Sequence, residues 1–459
     1  MASILTEIKS PKGKVFRRMY VKRRLASTGL FESSWQNVTV DVKSWGQIQK
    51  SIDYVRYSRV RFQDINVVVA NDYGRFNPED DASSFWFGYA NQQRTLVKIE
   101  AGFVHQTQSS AGVWTNTEFP SVPTIFVGVV QGDIALSDSN EVVLPVKPLT
   151  QVFRDFSCRN LTGLTTAGMT ASQFVALLRD QTDGAGSFIF RPFFQDTTTN
   201  WEFTSSAIVY KDLTATIASA QPAYGTDTHQ NDFLEMNVWE ALERLGEAEN
   251  LVPYITREGI FRFADRDANT SAAQFQFYGR GFRDSEYGIT IKRINSYKTK
   301  LSDFYSRVEV KWSQLATTTA VVVTQTAMAV GNNDAWNLGH RTFQVENPWL
   351  ATQTSANSLA QNIFAAVSSL PKEIDFSTSF VPHLELLDRV GLSYESSEAR
   401  PQSMWDQRDW AHDTVETDYD LIWDYSSGDA IRFVQKEFKA TSITINLDTL
   451  ECRFVGVAL

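Results

Sequence analysis

The sequence predicts a mainly β protein with a few helices, in the α+β class. Three observations predict it. Aromatic residues make up 13% of the chain and stand among many Thr and Val, a composition that suits pleated, half-buried surfaces. Many short stretches alternate apolar and polar residues between clusters of Gly, Pro, Asn and Asp, as half-buried strands do. Only three stretches carry helical periodicity.

The elements follow in order. Residues 12–24 hold seven cations in thirteen positions: Lys12, Lys14, Arg17, Arg18, Lys22, Arg23 and Arg24. Val15, Met19, Val21 and Leu25 share one parity, so this reads as a strand with a basic face, on an edge where cations discourage unwanted pairing. Direct nucleic-acid contact is the sharper reading, but only Phe16 and Tyr20 interleave with the cations. Residues 41–57 lead into the stretch around which the chain is organised, residues 60–103. There Val60 and Phe62 alternate on one parity and Ile65, Val67 and Val69 on the other, so the phase changes at Asp64, as a bulge in one strand would change it. Turn residues Asn71, Asp72, Gly74, Asn77 and Pro78 follow, then Phe85-Trp86-Phe87 and a strand over 95–100. Residues 124–130 (TIFVGVV) form a continuous apolar run, expected to be a strand buried on both faces. Residues 142–146 read as a strand placed near an edge by Pro145 and Pro148. The first 150 residues or so thus read as one antiparallel β domain, a barrel or sandwich.

Thr170-x-x-Gln173 is a capping-box pattern before Phe174, Leu177 and Leu178 at helical spacing, stopped by 183–186 (DGAG). Asn237 and Glu240 form a second such pattern, with Val238, Leu242 and Leu245 on one face through to Asn250. A hairpin is expected next: strand 251–255, a turn over 256–259 with Gly259 at a position needing positive φ, and strand 260–264. From Tyr287 the chain returns to β, with strands over 306–312 and 320–324 and a loop at 332–334. A helix over 355–368 shows Leu359, Ile363, Phe364 and Val367 on one face, with Pro371 beyond it. Strands follow over 376–381, 389–394, 431–433, 440–447 and 453–457.

The totals exclude several classes. At 459 residues the chain has room for two to four domains, and 42% hydrophobic with 21% charged residues excludes wholesale disorder. A net charge of −10 opposes nonspecific binding to the outside of a nucleic-acid duplex. Cys158 and Cys452 are far apart and lack metal spacing, so two buried thiols are expected. No run reaches the roughly 18 apolar residues of a membrane span, and the N-terminus has no secretory h-region. Cytosol, or a particle assembled there, is the expected location.

The search for chemistry finds little. Histidines 105, 229, 340, 383 and 412 share no metal-ligand spacing, and there is no P-loop, G-x-S-x-G or G-x-G-x-x-G. Residues 395–430 stand out. Ten acids against two bases give a net −8 there, interleaved with Trp405, Trp410, Tyr419, Trp423 and Tyr425. Asp409, His412 and Asp413 could supply a metal cluster, Asp418 with Asp420 a Ca²⁺ site, and Asp418 with Asp424 a glycosidase pair. None matches a known spacing, and a solvated or lumen-facing acidic loop is the plainer reading. The sequence therefore assigns no catalytic, cofactor-binding or metal residue, and the chain is expected not to be an enzyme.

Three stretches carry a family resemblance. The first is ANDYGRF…SSFWFGY…TLVKIEAGF followed by TIFVGVVQGDI; the second is VWEALERLGEAENLVPYITREGIFRFAD; the third is the helix over 355–368, then FVPHLELLDRVGLSY and FKATSITINLDTLECRFVGVAL. In this order they resemble the baseplate hub, or tail hub, proteins of tailed bacteriophages. The acidic insertion 395–430 has no counterpart in that pattern. The resemblance implies a structural virion protein of the phage tail, assembled in the host cytoplasm. It implies a homotrimer, each chain supplying two tube-like β-barrel domains, so that three chains join a six-fold tail tube to a three-fold tip. Residues 1–155 would be the first such domain, 156–285 a peripheral α+β domain, and 286–459 the second. Expected partners are the tail tube or distal tail ring, tip or fibre proteins, and genome DNA passing through the lumen. Some carboxylates of 395–430 would face that channel, and the basic strand would meet an acidic partner ring. A six-copy distal tail or adaptor protein is the alternative, and a carbohydrate-binding or glycan-hydrolysing tail protein the more distant one.

Overall fold

A computed structural model describes residues 14–53, 59–77, 84–86, 89, 93–108, 112, 114–120, 123–137, 140–164, 171–184, 186–194, 236–265, 275–279, 289–312, 319–324, 339–347, 349–350, 353–368, 371–395 and 432–458. It is mainly β. The N-terminal strands are β1 (Lys14–Lys22), β2 (Gln36–Asn37), β3 (Val42–Ser44), β4 (Gln47–Ile52), β5 (Val60–Phe62), β6 (Ile65–Ala70), β7 (Leu96–Gln108), β8 (Trp114–Phe119), β9 (Thr124–Val130), β10 (Ala135–Ser137) and β11 (Glu141–Pro148). Helices α1 (Thr150–Arg154), α2 (Ala171–Arg179) and α3 (Val238–Glu249) follow, then the hairpin β12 (Leu251–Ile255) and β13 (Phe261–Asp265). The C-terminal part holds β14 (Phe275–Tyr278), β15 (Ile289–Thr299), β16 (Arg307–Trp312), β17 (Thr319–Thr324), β18 (Thr342–Asn347), α4 (Gln353–Val367), β19 (Lys372–Ser379), β20 (Arg389–Glu395), β21 (Arg432–Asn446) and β22 (Glu451–Ala458). Among the described residues no helix is long and apolar enough to cross a membrane.

The first sheet runs β2-β1-β7-β9-β11-β6-β3, with β8 and β10 attached, and among the described residues it stays open. The second runs β20-β14-β15-β19-β22-β21, and β20 also pairs with β21, which closes a six-stranded barrel. β4 and β5 belong to this second sheet: β4 pairs with the second half of β21, from Ser442↔Ser51 to Asn446↔Gln47. The phase change at Asp64 is therefore no bulge. Val60–Phe62 pairs with β4 in one sheet and Ile65–Ala70 with β11 and β3 in the other, so the chain changes sheets there. A third small sheet, β17-β16-β18, lies under α4. Ala356, Leu359, Ile363 and Val367 of α4 are buried at helical spacing.

One core fills the space between the two large sheets, from Met19, Val21 and Ile99 on the first to Ile374, Ile443 and Phe454 on the second. A second core lies between the first sheet and the helices. β9 serves both. Ile125, Phe126 and Val130 join the first core, Val127 and Val129 the second, and all seven residues are buried. Gly128 is required there, because a Cβ would meet the Lys147 carbonyl oxygen at 2.4 Å.

β11 is interior, between β6 and β9/β10, rather than near an edge. Its Pro145 carbonyl accepts from Gln131 N at 3.0 Å. Because a strand residue aims N and C=O at the same neighbour, the missing N–H faces the gap between β9 and β10 and costs no ladder bond. Residues 431–433 and 440–447, expected as separate strands, are parts of one strand, β21. Among the described residues β1 is nearly an edge, flanked outside by the two residues of β2.

Local signals explain the helices. Asn237 caps α3, its side chain accepting from Glu240 N at 2.8 Å, and Asn250 ends it in the left-handed region at φ 58°. Gly259 turns the following hairpin at φ 83°. Thr170, the expected cap of α2, lies outside the described residues, as do 332–334.

Candidate functional site: the joint between the sheets

The loop after β6 shows how the organising stretch holds itself. Asn71 Oδ1 accepts from Phe76 N at 2.6 Å and its Nδ2 donates to Asn77 Oδ1 at 2.8 Å. Tyr73 and Gly74 take positive φ (59° and 73°), which turns the chain so that Phe76 enters the core against Phe85 and Trp86. Phe85 and Tyr89 then flank the Arg23 guanidinium, 4.1 and 3.8 Å from the ring centres. Glu32 pairs with Arg23 at 3.0 Å. Burial pushes the Glu32 carboxyl up, but hydrogen bonds from Arg23 outweigh it and hold it below its ordinary value.

Two polar clusters fasten the second sheet, one to the helix–hairpin unit and the other to the first sheet. In the first, Lys50 of β4 pairs with Glu385 in the turn before β20, and Tyr254 of β12 donates to the same carboxylate. Arg257, in the hairpin turn, pairs with Glu258 at 2.8 Å and donates to the His383 carbonyl at 3.2 Å. Glu385 N donates to Asp388 Oδ2 at 2.8 Å. Burial, with Glu385 nearby, pushes the Asp388 carboxyl up to about 7 and the Tyr254 phenol well above 10. Burial and then Arg257 hold His383 down at about 4, so its imidazole is neutral. The cluster thus ties together β4, the helix–hairpin unit and the barrel. The cavity beside it, about 20 Å³ and walled by Lys50, Phe62 and Thr150, has room for about one water and no larger ligand.

In the second cluster Asp448, in the β21–β22 turn, accepts from Ser44 Oγ (2.8 Å), Trp45 N (2.9 Å) and Gly46 N (3.2 Å). Arg17 of β1 donates to the Leu447 carbonyl and lies 5.4 Å from the Trp45 ring centre. Both clusters are positional: the first holds the hairpin against the sheet of the barrel, and the second joins the two large sheets.

The residues singled out for chemistry fall elsewhere. Asp409, Trp410, His412, Asp413, Asp418, Asp420 and Asp424 lie outside the described residues. The structure describes only the stem that bears them, β20 and β21, which pair up to Glu395↔Arg432. Among the described residues no group of three or more His, Cys, Asp or Glu could hold a metal. Both cysteines are buried thiols, pushed up to about 12 by burial. Several cations of the basic strand already have partners in the chain: Arg17 as above, Arg18 on Glu118 and Arg23 on Glu32. Sequence reading missed the joint, although Lys50 shares strand parity with buried Ile48 and Ile52. A lysine at a core position must find a counter-charge.

No protein-family model matches the chain, nor does any curated protein sequence. Among solved structures, over nearly its whole length, the chain is similar to phage and prophage tail proteins. One is the tail protein from Neisseria meningitidis MC58, at 11% identity, covering 96% of each chain with a TM-score of 0.47. Another is the 43 kDa tail protein of prophage MuSo2 from Shewanella oneidensis, at 12% identity, covering 97% of this chain and 98% of that one with a TM-score of 0.45. A third is the prophage tail protein gp18 from Listeria monocytogenes EGD-e, at 9% identity, covering 96% and 94% with a TM-score of 0.45.

Proposed function

We propose that the chain is a structural protein of a phage tail, a trimeric hub that joins a six-fold tube to a three-fold tip and forms part of the DNA channel. The observation that carries this reading is the pair of β-sheets in one chain. An open curved sheet and a six-stranded barrel share one core, the chain passes into the sheet of the barrel at β4–β5 and back, and the Asp448 cluster bolts the two together. A chain that supplies two such units needs only three copies to make a ring of six. On this reading the tube-like units are built mainly from residues 1–155 and 286–459, the barrel also taking β14 from the otherwise peripheral 156–285 and its sheet being extended by β4–β5. The partners are the tail tube or distal tail ring on one side and tip or fibre proteins on the other. The role is structural, with no catalytic residue.

Light scattering on the purified protein tests this. The expected mass is about three times 51.8 kDa. A hexamer would instead favour a six-copy distal tail protein.

A further inference from the structure

The helix-side face of β1 differs in charge from the rest of the chain. Strand alternation puts Lys14, Phe16, Arg18, Tyr20 and Lys22 on that side. Lys98 of β7 stands opposite Tyr20, and the Trp35 ring lies 5.9 Å from the Lys22 ammonium and 5.2 Å from that of Lys98. The aromatic core under α1 and α3 takes Leu96, Val127 and Val129 of the same face, while these cations and rings stay partly exposed. With Arg24 the face holds five cations against two carboxylates, Glu100 and Glu118, a net +3 on a chain of −10. Those carboxylates are engaged with Arg18 and Lys98. Among the described residues Lys14, Lys22 and Arg24 have no carboxylate partner. Burial and neighbouring Arg94 hold the Arg24 guanidinium below its ordinary value, as excess positive charge does.

We propose that this face docks a second copy of the chain, whose negative surplus is concentrated in residues 395–429. The proposal rests on the tail-hub reading, in which copies meet. The face looks away from the core that joins the two sheets, so the chain's own barrel does not cover it. The complementarity is twofold. Ten acids against two bases meet a net positive face, and the rings of Trp405, Trp410 and Tyr419 meet lysines and an arginine that already stack on rings. The acidic surplus then serves contact between copies rather than the channel wall.

The test is the mass of the full chain by light scattering at low and at high salt, with the double variant Lys14→Glu/Lys22→Glu and a charge swap adding Asp409→Lys/Asp413→Lys. Circular dichroism checks that each variant folds. The wild type should associate at least about ten-fold more weakly at high salt, because screening shortens the reach of exposed charges. The double variant should associate at least ten-fold more weakly at low salt, and the swap should restore association. A wild type and double variant that trimerise alike, at either salt, would overturn the proposal and leave the hub reading standing. A wild type that stays monomeric throughout would count against both. Retention of a DNA duplex by the wild type and not by the double variant, with no change in mass, would overturn it in favour of a nucleic-acid site.

Discussion

Replacing Asp388 with Asn probes the joint most sharply. The Asp388 carboxyl, ordinarily near 3.8, is raised to about 7 by burial and by Glu385, against the pull of Lys50 and Arg257. Glu258, paired with Arg257, and the neutral Tyr254 phenol on Glu385 complete the surroundings. Below about pH 3.8 the group is protonated in both folded and unfolded chains and costs nothing. Between there and pH 7 the unfolded chain ionises while the folded one stays neutral. Stability therefore falls by about 1.4 kcal/mol per pH unit, to a ceiling of about 4 kcal/mol. The side chain is half-buried by area, and solvent screening brings this to about 2 kcal/mol. Asparagine keeps an oxygen for the Glu385 N–H and never ionises. Asp388→Asn should therefore be more stable than the wild type by about 2 kcal/mol above pH 7, the gap closing toward pH 4. Urea unfolding followed by tryptophan fluorescence across that range measures it. Parallel midpoints for the two proteins at every pH would refute the reasoning.

Three smaller perturbations follow from the same structure. Asn237→Ala removes the cap of α3 and should cost about 1 kcal/mol in urea unfolding, with Asn237→Ser nearly neutral. Gly259→Ala forces a Cβ into the left-handed region and within 3.2 Å of Leu149 and Val127, so the melting temperature should fall, whereas Gly184→Ala, with nothing within 4 Å, should leave it unchanged. Cys158 and Cys452, pushed up to about 12, should resist alkylation by iodoacetamide at about pH 8 and react fully once urea unfolds the chain.

Much of the fold was legible because local chemistry and fold agree. The Asn237 cap, the hairpin over 251–265 and the doubly buried strand over 124–130 each carry their own signal within a few residues. Sheet membership was not legible. Val60–Phe62 and Ile65–Ala70 are two residues apart and read alike, yet their partners lie in different sheets. Nothing in alternation records which strand lies beside which. The joint failed for the same reason: Lys50 and Glu385 are 335 residues apart, and only the odd placement of a lysine among core isoleucines hinted at it. Pro145 misled because prolines are expected at edges, and the break between β9 and β10 that tolerates it arises from tertiary pairing.

The central claim is that one chain supplies two of six units in a ring. Class averages of the assembled protein, viewed down its axis by electron microscopy, test it most directly. The account predicts a three-fold ring with six β lobes from three chains. A ring of six chains, each placing a single lobe, would contradict it.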